Sequence, residues 1–408
     1  MDFFPCKIGV RQGDNLSPLL FSIYLNDFGC FLSTKFNGLA ELSREVDQIL
    51  NNDELDTYLK LYTLLYADDT VILAETEKEL QKALDALYLY CEQWQLHVNL
   101  DKTKIVIFSR GKISKFGTFL FGGNPIEVVS DYIYLGITMN FNNKFSKAIQ
   151  RQLLLARKAL FLLNSKILEY NLPIDIQIKL FDNLILPILT YGCEIWGFSN
   201  LSAIELFHRK FIKNSLKISK FVSNSITYGE AGVHKIENAI YTRMVCFWDR
   251  LRHSSSNKIS FKILKVIKTL YDQDLYRSNW CAKIHNILNV TGLSYVWNWE
   301  GISNFRLNKL LKQRLSDSFI QNWNSDLYDN TLCSNYKALK FNFGFEKYLI
   351  TLDEDLRVPL TKYRCGSHHL PISEGRYNGI GDHHICPLCF EDIGDEFHYS
   401  VYSCLSCF

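Results

Sequence analysis

Two short runs of apolar, strand-forming residues, Leu61-Tyr62-Thr63-Leu64-Leu65-Tyr66 and Thr70-Val71-Ile72-Leu73, flank Ala67-Asp68-Asp69. Such runs broken by a short polar tip predict a hairpin with the two acids at its turn. Adjacent carboxylates repel each other and gain nothing from apolar neighbours. A divalent cation is the simplest reason for their position, with a plain polar turn as the alternative. Upstream, Gly9-Val10-Arg11-Gln12-Gly13-Asp14-Asn15-Leu16-Ser17-Pro18 reads as a glycine-bearing loop feeding a helix, Ser17 serving as N-cap and Pro18 as its first helical residue. Leu20, Ile23, Tyr24 and Phe28 recur at helical spacing and predict a core-facing stripe. Downstream, Thr76-Glu77-Lys78-Glu79 is a capping box. The helix it opens carries Leu80, Leu84, Leu87, Cys91 and Trp94 on one stripe and ends near Gln95. A turn around Asn99-Leu100-Asp101-Lys102-Thr103 then leads into the apolar strand Ile105-Val106-Ile107-Phe108. From about residue 141 to 350 the pattern is mostly helical, with joints at Pro173 and Pro187 and a loop at Arg252-His253-Ser254-Ser255-Ser256-Asn257. The apolar density of Leu186–Gly197 predicts packing.

Composition narrows the class. Hydrophobic content of 47% with only 8 prolines argues for a folded, helix-rich chain, and 408 residues are enough for two or three domains. No uninterrupted apolar run is long enough to cross a bilayer, and the N-terminus shows no secretory signal pattern. The net charge of +2 says little, but its distribution says more. Between Glu41 and Glu92, thirteen acids face four bases; between Lys144 and Lys220, twelve bases face five acids. Lys144, Lys147, Arg151, Arg157 and Lys158, then Arg209, Lys210, Lys213, Lys217 and Lys220, predict either a nucleic-acid-binding face or a merely solvated one.

The far end carries separate chemistry. Cys386, Cys389, His398 and Cys404 are spaced C-x2-C-x8-H-x5-C, the ligand set of a closed, structural zinc site. Cys407 is a spare that could replace Cys404. Unrelated free thiols are the alternative in a chain with twelve cysteines, which without a secretory signal point to a reducing compartment.

The Gln12-Gly13 loop running into Ser17-Pro18-Leu19-Leu20-Phe21, followed by Tyr66-Ala67-Asp68-Asp69, resembles the reverse transcriptase family in the form carried by non-LTR (LINE-like) retrotransposons. Asn99-x-x-Lys102-Thr103 is similar to the family's next motif, and Tyr132-Ile133-Tyr134-Leu135-Gly136-Ile137 to the hairpin that supports the primer end. The resemblance implies an RNA-directed DNA polymerase: template-directed nucleotidyl transfer to a primer 3′-hydroxyl. The implied fold is α+β. Residues 1–140 would be a partial palm of antiparallel strands backed by helices, 141–350 a helical thumb and connection region, and 351–408 a small zinc-knuckle module. Asp68 and Asp69 would hold Mg²⁺ (or Mn²⁺), with Lys102 near the nucleotide phosphates; Gln12 and Gly13 would position template and nucleotide, and Tyr66 the primer end. Implied partners are an RNA template, a DNA primer, dNTPs and the element's own RNA, in a ribonucleoprotein of nucleus and cytoplasm, with no membrane. Intact enzymes of this kind place another metal-binding Asp and the fingers ahead of the Gln-Gly loop. The chain is therefore expected to be a C-terminal fragment, inactive alone. The alternative is a non-catalytic nucleic-acid-binding remnant that uses the basic helices and the zinc knuckle.

Overall fold

Short strands and many helices alternate along the chain, giving a mixed α+β protein whose sheets are small. The computed structural model describes residues 16–28, 31, 35, 63–66, 69–109, 116–256, 258–276, 278–299, 301–330, 333–368, 370–372, 385–390, 392–395 and 398–399. Two units divide the chain: Met1–Phe145 with Arg250–Ala282, and Ser146–Asp249 with Lys283–Phe408.

In the first unit, helix α1 (Ser17–Tyr24) precedes the antiparallel hairpin of β1 (Thr63–Tyr66) and β2 (Asp69–Ile72), paired from Thr63↔Ile72 to Tyr66↔Asp69. Helix α2 (Glu77–Gln93) follows, opened as expected by Thr76, whose Oγ1 accepts the Glu79 N–H at 3.2 Å. The reciprocal half of the capping box is missing, and Glu79 Oε2 is buried without a hydrogen bond. Strand β3 (Lys104–Val106) lies parallel to β5 (Asn124–Val129), which pairs antiparallel with β4 (Phe119–Phe121) through Gly122-Gly123. Strands β6 (Asp131–Tyr134) and β7 (Ile137–Asn140) form a second hairpin. The apolar side of α2 divides its contacts. Leu84 and Cys91 pack with Ile105, Phe119, Phe121 and Ile126, while Ala86 and Tyr90 pack with Phe28.

The start of this unit departs from the sequence reading. Leu16, not Ser17, occupies the N-cap position, and Ser17 already lies inside α1. Leu20 and Ile23 are 52% and 63% exposed instead of facing a core. The helix ends at Tyr24, and the turns after it swing Phe28 onto the Tyr90 ring, 4.8 Å between centroids. Burial at Phe28 is thus achieved by a turn rather than by helical periodicity.

The second unit is helical. Helix α3 (Ser146–Glu169) leads to α4 (Ile174–Leu180), which Pro173 caps as a joint should. Pro187 is no joint, however. A π-turn (Phe181–Ile185) widens the helix just before it, and α5 (Leu186–Leu189) continues directly. Widening the turn relieves the clash between the proline ring and the carbonyl four residues back. After α6 (Cys193–Trp196), α7 (Ser202–Leu216) and α8 (Asn224–Ala231), helices α9 (Ile236–Arg252) and α11 (Asn279–Val290) each cross the division between units, with α10 (Ile259–Asp272) between them. A 3₁₀ turn (Ser294–Trp297) precedes α12 (Asn304–Asp329), followed by α13 (Ser334–Leu339), α14 (Tyr348–Thr351) and α15 (Glu354–Arg364). The predicted packing of Leu186–Gly197 holds: Leu189, Cys193 and Trp196 are fully buried, and Arg243 binds Thr190 Oγ1 at 2.7 Å and Glu194 Oε1 at 2.8 Å.

A buried carboxylate ties the late helices to α8. Glu230, with no exposed surface, accepts hydrogen bonds from the Tyr336 hydroxyl (2.9 Å), the Tyr348 hydroxyl (2.5 Å) and Arg364 Nε (2.7 Å). Arg364 also reaches Glu346 at 3.3 Å. A charge this deep is tolerable only because every donor around it is aimed at it.

Candidate metal centres: a carboxylate hairpin and a cysteine-histidine knuckle

The β1–β2 register leaves only Ala67 and Asp68 between the paired Tyr66 and Asp69. Asp68, Gln12 and Gly13 lie outside the described residues, and of Tyr66 only the backbone, in β1, is described. Asp69 opens β2 as an exposed carboxylate with no ion pair among the described residues. Its charge is felt by Tyr134, whose hydroxyl pKa is raised first by burial and then by Asp69.

Tyr134 ends β6 at a two-residue turn in which Leu135 and Gly136 both have positive φ, +46° and +78°. That is the backbone of a type I′ hairpin, whose twist matches its strands. Glycine adopts it freely, whereas leucine does so under strain. The structure thus brings the Tyr-Leu-Gly hairpin within electrostatic reach of the acidic one. Tyr134 is absent from the sequence-derived site; its signal was an aromatic residue directly before the Leu-Gly turn.

Lys102 is exposed in a turn organised by Asn99. Its N–H donates to Asn99 Oδ1 at 3.1 Å, and Thr103 Oγ1 donates to the Asn99 carbonyl at 2.8 Å. No polar contact links the Lys102 side chain to Asp69 among the described residues.

The knuckle is better formed. Cys386 and His398 are buried, Cys389 is half-buried, and one donor atom from each lies within 4.8 Å of the others. Cys389 Sγ is 3.5 Å from His398 Nε2, and Cys386 Sγ is 3.2 Å from the Tyr399 hydroxyl. A bridge between Ile385 and Ile393 and the Cys386 N–H bond to the Asp392 carbonyl (2.8 Å) close the loop. Asp395 Oδ1 accepts the His398 N–H at 2.7 Å and holds the histidine in place. Burial pushes the Cys386 thiol up. Hydrogen bonds from Tyr399, the Cys389 and Leu388 N–H groups and His398 outweigh it and bring the pKa to about 6. Two soft sulfurs and an imidazole nitrogen this close fit a tetrahedral zinc ion, with Zn–S near ~2.3 Å and Zn–N near ~2.0 Å. Cys404 and Cys407 lie outside the described residues.

The basic face is only partly available. Lys144, Lys147, Arg157, Lys158, Lys210 and Lys220 are exposed. Lys213 is buried, its ammonium donating to the Lys220 and Val222 carbonyls at 2.8 and 2.5 Å, and burial lowers its pKa. Lys217 is paired with Glu354. Those two lysines close loops within the protein, a use that helical spacing of charge does not reveal.

The first unit thus combines α and β elements with an acidic hairpin within electrostatic reach of a Tyr-Leu-Gly hairpin. Residues 2–139 match the family model for reverse transcriptase (RNA-dependent DNA polymerase). Several relatives are named as RNA-directed DNA polymerases of transposons or mobile elements. The chain is 26% identical over 258 residues to the "Probable RNA-directed DNA polymerase from transposon BS" of Drosophila melanogaster, covering 61% of this chain and 27% of that protein. It is 26% identical over 219 residues to the RNA-directed DNA polymerase from mobile element jockey of the same organism, covering 51% and 22%. A transposon-derived protein of Caenorhabditis elegans is 32% identical over 143 residues, 34% of this chain and 50% of that protein. The chain therefore spans between about a quarter and a half of the relatives it matches.

Proposed function

We propose that the chain carries the metal-turn half of a palm (residues 1–140), a helical thumb and connection region (141–350) and a zinc knuckle (351–408) of a non-LTR retrotransposon reverse transcriptase. The reaction is RNA-templated transfer of dNMP units to a primer 3′-hydroxyl. The observation that carries this reading is the exposed Asp69 carboxylate at the base of a two-residue hairpin tip, inside the segment that matches the family. Hard, exposed carboxylate oxygens without a competing cation suit Mg²⁺ or Mn²⁺. Asp68 and Asp69 are the residues that would hold it. When bound, such ions activate the primer hydroxyl and neutralise the triphosphate.

The chain's own groups have simpler tasks. Tyr134 and the Leu135-Gly136 turn form a ledge within electrostatic reach of Asp69, suited to bearing the primer end. Gln12 and Gly13 would meet template and nucleotide, Tyr66 the primer terminus, and Lys102 the phosphates. At the knuckle, Cys386, Cys389, His398 and Cys404 would take one structural Zn²⁺. The reading places the chain in a ribonucleoprotein of nucleus and cytoplasm.

Two-metal transfer clamps its ions with more than an Asp pair, and no cluster of three ligand residues among the described ones includes Asp69. Little dNTP incorporation by this chain alone is therefore expected on a homopolymer RNA template with Mg²⁺. The metal role itself is tested by Mn²⁺ titration followed by electron paramagnetic resonance. A site lost in the Asp68→Asn/Asp69→Asn double variant supports the reading, and undiminished binding in that variant overturns it. RNA binding that survives this double variant but falls on zinc removal would favour a purely binding remnant.

A further inference from the structure

The segment joining α11 to α12 turns its aromatic residues in two directions. Trp297 goes inward, stacked face to face on Trp248 with 5.3 Å between centroids and 5° between planes. Tyr295 and Trp299 go outward, 5.8 Å apart and each about half exposed, at 49% and 50%. The Trp299 indole lies over Gly301: a Cβ on that glycine would sit 2.5 Å from the ring. The glycine is a cradle that fixes one edge of the indole against the backbone.

Six residues after Trp299, and so at most about 20 Å along the chain, α12 begins by exposing Phe305 (81%) together with Arg306, Lys309 and Lys312. Leu307, Leu311 and Leu315 hold the opposite side of that helix in the core. From Tyr295 to Arg314 there are four Lys/Arg and one acid, Glu300. Arg306, Lys309, Lys312 and Arg314 make no ion pair among the described residues. The acid that meets the helix start, Asp249, is fully buried and bonded to Asn304 at 2.7 Å, so it adds no negative surface.

Fixed aromatic faces flanked by unmatched cations suit a polyanion that has flat, unpaired bases. The cores of protein interfaces are depleted in lysine, and this patch presents two, Lys309 and Lys312. A duplex keeps its base faces stacked on each other. We propose that Tyr295, Trp299 and the basic start of α12 form a stacking platform for single-stranded RNA. The choice of RNA rests on the reverse transcriptase reading, whose template is a single RNA strand; the platform itself does not.

The test uses the full 408-residue chain and the anisotropy of labelled twelve-nucleotide single-stranded RNA, single-stranded DNA of the same sequence, and duplex RNA. Expected results are RNA bound at least as tightly as DNA, duplex bound more weakly, and about tenfold or greater loss of single-strand affinity in Tyr295→Ala/Trp299→Ala. Trp299→Phe should restore most of the loss. Gly301→Ala, which displaces the indole without removing it, should reproduce part of it. Arg306→Ala/Lys309→Ala should flatten the salt dependence. Melting temperatures show that each variant is folded. Unchanged affinity in folded Tyr295→Ala/Trp299→Ala, or tighter binding of DNA or duplex than of single-stranded RNA, overturns the proposal. Binding is read without turnover, so undiminished Mn²⁺ binding in the Asp68→Asn/Asp69→Asn variant would count against the polymerase reading and leave the platform standing.

Discussion

His208 shows what a single side chain reveals when it sits where its charge cannot. It is buried, its ring lies parallel to Phe181 at 5.2 Å, and its Nδ1 has no hydrogen-bond partner. Burial, helped by Arg209, lowers its pKa from 6.5 to about 3. Between those values the unfolded chain binds a proton that the folded chain refuses. Stability from this site is therefore complete above about pH 6.5 and is lost as pH falls toward 3, with a cost of roughly 2 kcal/mol at pH 5. Replacing His208 with Phe should flatten urea stability between pH 7 and 5 by about that amount. An identical pH slope in the variant would refute the assignment. Individual residues were also where the sequence was hardest to read. Lys213 looked like one more member of a basic stripe, yet it is buried on two carbonyls, because spacing reports a helix face and not what the next loop does to it. Tyr134 gave only a weak signal, since its proximity to Asp69 depends on two hairpins far apart in sequence.

At the scale of elements, legibility followed local chemistry. The Asp-bearing hairpin and the capped α2 were readable because each is specified within a dozen or so residues by alternation, caps and turn preferences, whereas the Tyr-Leu-Gly hairpin was legible only through its resemblance to the family's motif. The β4–β5 hairpin and the parallel β3–β5 pair were not read. Three-residue strands carry too little alternation, and parallel pairing leaves no local mark. Pro187 misled for a related reason: a proline normally ends a helix, and the π-turn that accommodates it is not written in residue type. The knuckle is the element whose chemistry was most visible beforehand, because a C-x2-C pair plus a later histidine has few other uses. Purified chain should hold about one zinc per molecule by atomic absorption. A Cys386→Ser/Cys389→Ser variant should lose that zinc and melt several degrees lower, whereas retention of stoichiometric zinc by the variant would exclude the site.

For the molecule as a whole, the second unit is held by contacts between residues far apart in the chain. Glu230 lies 106 positions before Tyr336 and 134 before Arg364. Neither the hydrophobic pattern nor any motif announced this network, since a carboxylate inside a helix normally reads as surface. Substituting Glu230 with Gln leaves Arg364 with Glu346 and turns amide hydrogens toward hydroxyl donors, at a cost of about 3–5 kcal/mol. The urea midpoint should fall accordingly, and Arg364→Met should add less to that loss than it costs alone. Full additivity would mean that the two residues do not act together. Helices α9 and α11 crossing between units make the same point about connectivity: residues 250–282 are an excursion from the second unit into the first, not a linker at its edge.

The Glu230 network also sets a clock on synthesis. At ~5–20 residues per second, a ribosome that has just added Glu230 needs on the order of ten seconds or more to reach Arg364. Throughout that interval the nascent chain holds an acid that its finished interior will admit only once the guanidinium arrives. Premature termination anywhere in that window releases a product with its central charge unanswered, a natural target for the chaperones and proteases that sort incomplete chains.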